Sequence, residues 1–489
     1  MRSPTSFRRV TVALMLTAGL GACSTDSTDF TEPDPPPASD FTIELATGDG
    51  QTGLVNDLLG FPLSVRVTSG TQPASGRTVE WTAGTGAGTV TPGGATNTLG
   101  IATATFQVSS AGTHTVTARI AGEPESVEFS ITGVANRAPV LVYQNTGAPV
   151  TGMHDTHVRD GIAFVSAWQE GLVLYDVGNG MMGGTPANPV EISRILTADN
   201  GVPGGRAVHN AWWFHNPVTS ERRYVFVGQE GPGVLGVSSS GDIHVVDVSD
   251  LTQPSEVAYV TVPGAGAHNF WMDEARQILY AGYYNGGVLA IDVSGTLSGD
   301  ISSRIVHQVR PGGANNTYMW GVQLAGGSLW ASDILSGFWE LDPVTLQTRG
   351  GGNNVETRYS TDLWVHGSYA YTGTLAGRGS APGVIINVWK IDGTSPVLVD
   401  SVLMPEAGIV SDLQVSDDGR LLVATSHGTG SGLVVFSLAR PERPAIIGRT
   451  TAPVSIHTGE VATIGGRFYV FTRTTGPISG FQIWEVFPP

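Results

Sequence analysis

The chain has 489 residues, enough for two or three domains, and only 14% of them are charged. Its 66 glycines and 29 prolines interrupt every long helix-forming stretch, which excludes a helical bundle and points to a turn-rich, all-β protein. A formal net charge of −17 argues against a nucleic-acid partner, because phosphate binding needs a basic surface.

Arg2, Arg8 and Arg9 precede an apolar run over 10–20 that closes in Leu20-Gly21-Ala22-Cys23. The run is too short to span a bilayer, and its basic front and small-residue exit are those of an export signal. Cys23 is the only cysteine, so it has no intramolecular disulfide partner. The Leu-Gly-Ala-Cys string resembles the lipobox of bacterial lipoproteins. That resemblance implies cleavage after residue 22 and a membrane partnership through lipidated Cys23, each buried methylene adding about 0.8 kcal/mol. Ser24 implies the outer membrane of a bacterial cell envelope, and Arg8-Arg9 leaves Sec and twin-arginine export both open. The expected order is a signal peptide over 1–22, then the lipidated cysteine and a disordered tether over 23–40. There Pro, Asp, Ser and Thr leave too little apolar surface to fold.

Over 41–133 short alternating runs (FTIEL, PLSVRV, TVEWTA, ATATFQV, HTVTARI, VEFSIT) are separated by Gly, Pro, Asn and Ser. This pattern predicts a β-sandwich with one face of each strand inward. The stretches GDGQTG, GRTVEWTA and GIATATFQVSSAGTHTVTA resemble the bacterial Ig-like repeat of invasin and intimin. The resemblance implies a stalk or spacer, and no residue in the segment suggests chemistry.

Over 138–489 one type of run recurs: GLVLYDV, DIHVVDV, GVLAIDV, GFWELDP, INVWKID, GLVVFSL and GFQIWEV. Its register residues, Asp176, Asp247, Asp292, Asp342, Asp392, Ser437 and Glu485, are spaced by 45 to 50 positions, except for one interval of 71 that holds the Gly-rich insert 228–241. Such a period indicates four-stranded blades. The seventh unit stops before its outer strand, while an orphan run, PVLVYQN, precedes the first. Pairing the two predicts a seven-bladed propeller closed by an N-terminal outer strand, with no open sheet edge. DIHVVDVSDLTQPSEVAYV and GGVLAIDVS resemble the LVIVD repeats of bacterial extracytoplasmic propellers. That family is defined by fold, so the resemblance leaves the function open.

Aligning the blades puts HDTHV, HNAWW, HNFWM, MWGVQ, TDLWV, SDLQV and HTGEV at the start of the innermost strands. His154, His209, His268 and His457 then come from four consecutive blades and line one half of the channel mouth. Loops between second and third strands bring Glu170, Glu230, Asp333, His427 and Arg473 to the same face, and Asp155, Asp362 and Asp412 follow the first positions. Imidazole with carboxylate suits one divalent transition metal, with His154, His209, His268 and His457 as ligands and Asp155, Glu170, Glu230, Asp333, Asp362, Asp412 and His427 as a candidate ligand rim. A second reading has each first position hydrogen-bonding to the neighbouring blade, which the equivalent Thr361 and Ser411 fit well. There is no phosphate loop, G-x-S-x-G elbow, CxxC or HExxH, and no complete catalytic constellation. The sequence therefore favours a surface-anchored binding protein for a protein, glycan or small molecule over a metal-dependent extracytoplasmic enzyme such as a hydrolase.

Overall fold

The computed structural model describes residues 40–488, apart from 148–149, 151, 202–204, 377–382, 394, 405–407, 428–431, 451–454 and 476–479. The expected export signal, Cys23 and nearly all of the tether lie outside the described residues. Among the described residues no helix is long and apolar enough to cross a membrane.

The first part of the compact unit Phe41–Pro489 is built from two sheets. One contains Phe41–Thr47, Leu63–Ser69, Ile101–Val108 and Gly88–Pro92; the other contains Thr52–Leu54, Ser126–Val134, Gly112–Ile120 and Val79–Ala83. Alternation puts Val65, Val67 and Phe106 of one sheet and Val116, Ala118 and Phe129 of the other into a shared core. This part is also docked on the rest of the unit. Arg449 donates to both carboxylate oxygens of Asp57 at 2.8 and 3.0 Å, and Arg443 donates to the Asp49 carbonyl at 2.7 Å.

From residue 140 the chain forms four-stranded antiparallel meanders. The first runs Asp155–Arg159, Ile162–Ser166, Leu172–Asp176 and Val190–Ile195. Its two middle strands are buried at every position and its outer strand only partly. A strand covered on both faces needs continuous apolar runs rather than alternation, which is why IAFVS and LVLYD read as they do. In four units the register acid caps the turn that follows. Asp176 accepts five backbone N–H groups from residues 178–184, which pull its carboxyl down to about 2 despite the opposing effect of burial. Asp247, Asp292 and Asp342 cap the same turn through Ser249, Ser294 and Val344.

The 228–241 insert folds into a ribbon of its own, Gly231–Val234 against Ser238–Ser240. The last meander, Ser455–Ile464, Arg467–Thr475 and Gly480–Val486, takes Val140–Asn145 as its fourth strand. The sequence expectation of a closing strand is thus met by an antiparallel ladder from Val140↔Glu485 to Asn145↔Phe481. The innermost strands surround a cavity of about 660 Å³.

Candidate functional site

The innermost strands begin beside this cavity, where Asp155, Asn210 and Asn269, each following a histidine, line it, and there the imidazoles meet. Backbone bonds fix these positions: the His154 N–H donates to the Ser166 carbonyl at 2.6 Å and the His268 N–H to the Gly282 carbonyl at 2.8 Å. The rings form an arc. Centroids lie 4.7 Å apart for His457 and His154, 4.0 Å for His154 and His209, and 4.3 Å for His209 and His268. His427 extends the arc, 5.3 Å from His457. His154, His209 and His268 are 4%, 2% and 4% exposed.

The two sequence readings make opposite demands on the ring nitrogens. Residues that serve only the fold should bond to the neighbouring meander, and several do. Thr361 donates to the Val410 carbonyl at 2.5 Å, Ser411 to that of Ile456 at 3.4 Å, and Thr458 to that of His154. His268 does so too, since its Nδ1 lies 2.5 Å from the Trp320 carbonyl. A carbonyl only accepts, so Nδ1 carries the proton and Nε2 of the neutral ring keeps a lone pair. By contrast, among the described residues Nδ1 of His154, both ring nitrogens of His209 and Nδ1 of His457 are buried without a hydrogen bond of good geometry, Asn210 being the side chain that still favours the protonated form of His209.

Burial is the main cause that keeps these rings neutral. It pulls His209 and His268 down to about 3, and His154 and His457 well below the usual range, with the nearby rings and Arg473 adding to the effect on several of them. His427 is lowered for the same two reasons, burial and Arg473. Neutral imidazole is the form that binds a metal. Glu230 completes the group: its Oε2 is 3.7 Å from His209 Nε2, and its Oε1 accepts the Tyr284 hydroxyl. His154, His209 and Glu230 offer ligand atoms that all lie within 4.8 Å of one another. Nitrogens 2.0–2.1 Å from a zinc ion in a tetrahedral site sit roughly 3.4 Å apart, so an ion held there would draw the three inward.

Two aromatic residues that the sequence reading did not single out wall the arc. Trp168 stacks on His154 at 4.9 Å and Tyr284 lies 4.7 Å from His268. Both sit in the left-handed region, at φ 54 and 38, where a bulky residue is strained. They occupy equivalent turns. In each, a glycine three positions on, Gly171 or Gly287, has φ of 87 or 85, and an added Cβ there would meet backbone 2.2 or 1.9 Å away. The matching strings WQEG and YNGG were the available signal.

The remaining predicted rim residues divide by role. Glu170 stays on the exposed turn beyond Trp168, outside the group of His154, His209 and Glu230. Asp333 is fully buried and accepts the N–H groups of Tyr318, Leu335 and Ser336, so it shapes a turn; burial nevertheless pushes it up to about 6. Asp155, Asp362 and Asp412 line the cavity itself. The latter two tie innermost strands together, Asp362 accepting the Leu413 N–H at 3.2 Å and Asp412 the Gly459 N–H at 2.7 Å. Burial raises all three carboxyls.

Residues 237–262 match the LVIVD repeat. The fold aligns with the β-propeller domain of Cps50 (Swd1) from Myceliophteria thermophila at a TM-score of 0.51 and 10% identity, covering 71% of this chain and 100% of that one. The chain is a β-propeller protein. No curated protein matches it. At this identity the likeness conveys fold alone, so the propeller's chemistry has to come from its own channel mouth. That mouth combines neutral imidazoles, a carboxylate and a tyrosine hydroxyl.

Proposed function

We propose that this chain is a lipid-anchored metalloprotein of the bacterial cell envelope, a seven-bladed propeller carried with an Ig-like module, whose channel-mouth imidazoles hold one divalent transition-metal ion. The blade count rests on the successive meanders and the borrowed closing strand, and the Ig-like assignment on the two packed sheets. The anchor and the outer-membrane location rest on the Leu20-Gly21-Ala22-Cys23 string.

The observation that carries the metal is that, among the described residues, buried ring nitrogens of His154, His209 and His457 make no hydrogen bond of good geometry, at positions where Thr361 and Ser411 are hydrogen-bonded. Leaving a buried polar group unpaired costs about 1–3 kcal/mol, and a bound ion removes that cost for several groups at once. The Nδ1 bond of His268 to a backbone carbonyl is the outer-shell contact typical of a metal-binding histidine. With three or four protein ligands and partly exposed His457 and Glu230 beside them, the ion keeps a position for water or a substrate oxygen. This makes a Lewis-acid role, hydrolysis included, the chemistry the site supports.

Protein purified without a chelating tag should contain about one transition-metal ion per chain by elemental analysis, or take one up from zinc, cobalt or copper salts after chelation. Metal-free protein that takes up none of these would overturn the reading and favour a receptor surface without metal. For the anchor, Cys23→Ser should move the protein from the membrane to the soluble fraction of the envelope; unchanged fractionation would refute lipidation.

A further inference from the structure

A cation site beside a guanidinium needs explaining. Arg473 lies on the strand Arg467–Thr475, opposite Thr458 and next to the arc. Its Cζ is 6.0 Å from the centre of the Trp168 ring, which itself stacks on His154. Among the described residues its Nε is buried without a hydrogen-bond partner, and the carboxylate whose charge favours it is Glu230. Its charge disfavours protonation of His154, His209, His427 and His457, so it sits within electrostatic range of most of the arc, His268 excepted.

A divalent ion beside Arg473 brings three positive charges into a partly buried mouth, and Glu230, whose Oε1 is already engaged by Tyr284, offsets at most one. The remaining charge calls for an anion. Guanidinium presents a planar fork that matches the oxygens of carboxylate and phosphate, while a metal with an open position takes a single oxygen.

We infer that the channel mouth takes a small oxyanion, the carboxylate or phosphate group of its ligand, with one oxygen on the metal and another on Arg473. The inference rests on the metal reading above. Arg473 is then the residue that selects the ligand's charge, and Trp168 and Tyr284 form apolar walls on either side of the arc.

The test uses the Co(II)-loaded protein, whose visible spectrum reports changes in coordination, titrated with acetate and with inorganic phosphate. The wild-type spectrum should shift saturably with either. Arg473→Met should take up Co(II) with the same stoichiometry but bind both anions at least about tenfold more weakly, because two charge-assisted hydrogen bonds are lost. Arg473→Lys keeps the charge without the fork and should fall between the two, which supplies the comparison if the Met variant folds poorly. Equal anion affinity in wild type and both variants would overturn the oxyanion subsite while leaving the metal centre standing. Failure of wild type to bind Co(II) at all would overturn both.

Discussion

Changing His209 to alanine should remove the metal ion and leave the fold standing. His209 is the middle of the arc, 4.0 and 4.3 Å from the rings on either side and 3.7 Å from Glu230. Changes in the outer shell alone cost about 10- to 100-fold in metal affinity, so losing this ligand should cost at least about 100-fold. Among the described residues neither of its ring nitrogens makes a hydrogen bond of good geometry, and its one side-chain hydrogen-bonding neighbour in the fold is the adjacent Asn210, so little of the fold's bonding is lost with it. His268→Ala should also release the metal, but with a stability cost of about 1 kcal/mol from its lost bond to the Trp320 carbonyl. Thr361→Val, at an equivalent position, should show a similar stability loss with no change in metal content. Metal content and urea unfolding of the three variants distinguish a metal centre from a set of inter-blade tethers. If the arc served only packing, His209→Ala and Thr361→Val would be indistinguishable in metal content.

The closing strand was legible because it is an accounting problem: a unit lacking its outer strand at one end of the chain and an unpaired strand at the other have one economical solution. The convergence of His154, His209, His268 and His457 was legible because one register error would have scattered them, and the register was pinned by an acid that caps the turn in four of the units. The choice between ligand and tether was not legible. It depends on which way each ring nitrogen faces: Ser411 and His457 stand alike in their strands and both side chains reach the next blade, but the serine bonds to a backbone carbonyl there while the histidine meets another ring. Trp168 and Tyr284 were missed for a related reason. Strand-forming aromatics dominate these blades, and only backbone angles distinguish the two that sit on left-handed turns. The docking of the N-terminal sheets through Asp57 and Arg449 joins residues nearly four hundred positions apart, and no local pattern announces it.

Glu460→Gln should stabilise the protein at neutral and alkaline pH by about 1 kcal/mol or more, with the gain fading as the solution is acidified. Glu460 stands where two other blades carry glutamine. Gln323 accepts the Val365 N–H and donates to its carbonyl at 3.2 Å, and Gln414 does the same with Val461, the latter bond at 3.4 Å. Glu460 accepts the Val158 N–H at 3.3 Å but as a carboxylate has nothing to donate. Burial, then Asp155, holds its carboxyl well above the ordinary value, with Asp412 and Asp417 adding to the rise and the Val158 N–H opposing it. His157 is 3.8 Å away but provides no counter-charge at neutral pH, since burial and the adjacent Arg159 pull it down to about 3. A carboxyl raised in the folded state contributes its stability below the unfolded value of about 4.3 and loses it as pH rises through the folded value. Glutamine has no such loss, so the difference between variant and wild type should open with rising pH and then level off. A fifth of the Glu460 side chain remains exposed, which keeps the expected gain near the lower figure. Thermal or urea unfolding of both proteins between pH 4 and 9 measures the difference. A gap that is constant with pH, or widest in acid, would mean that Glu460 is ionised at no cost and that the inner ring of blades does not require the amide there.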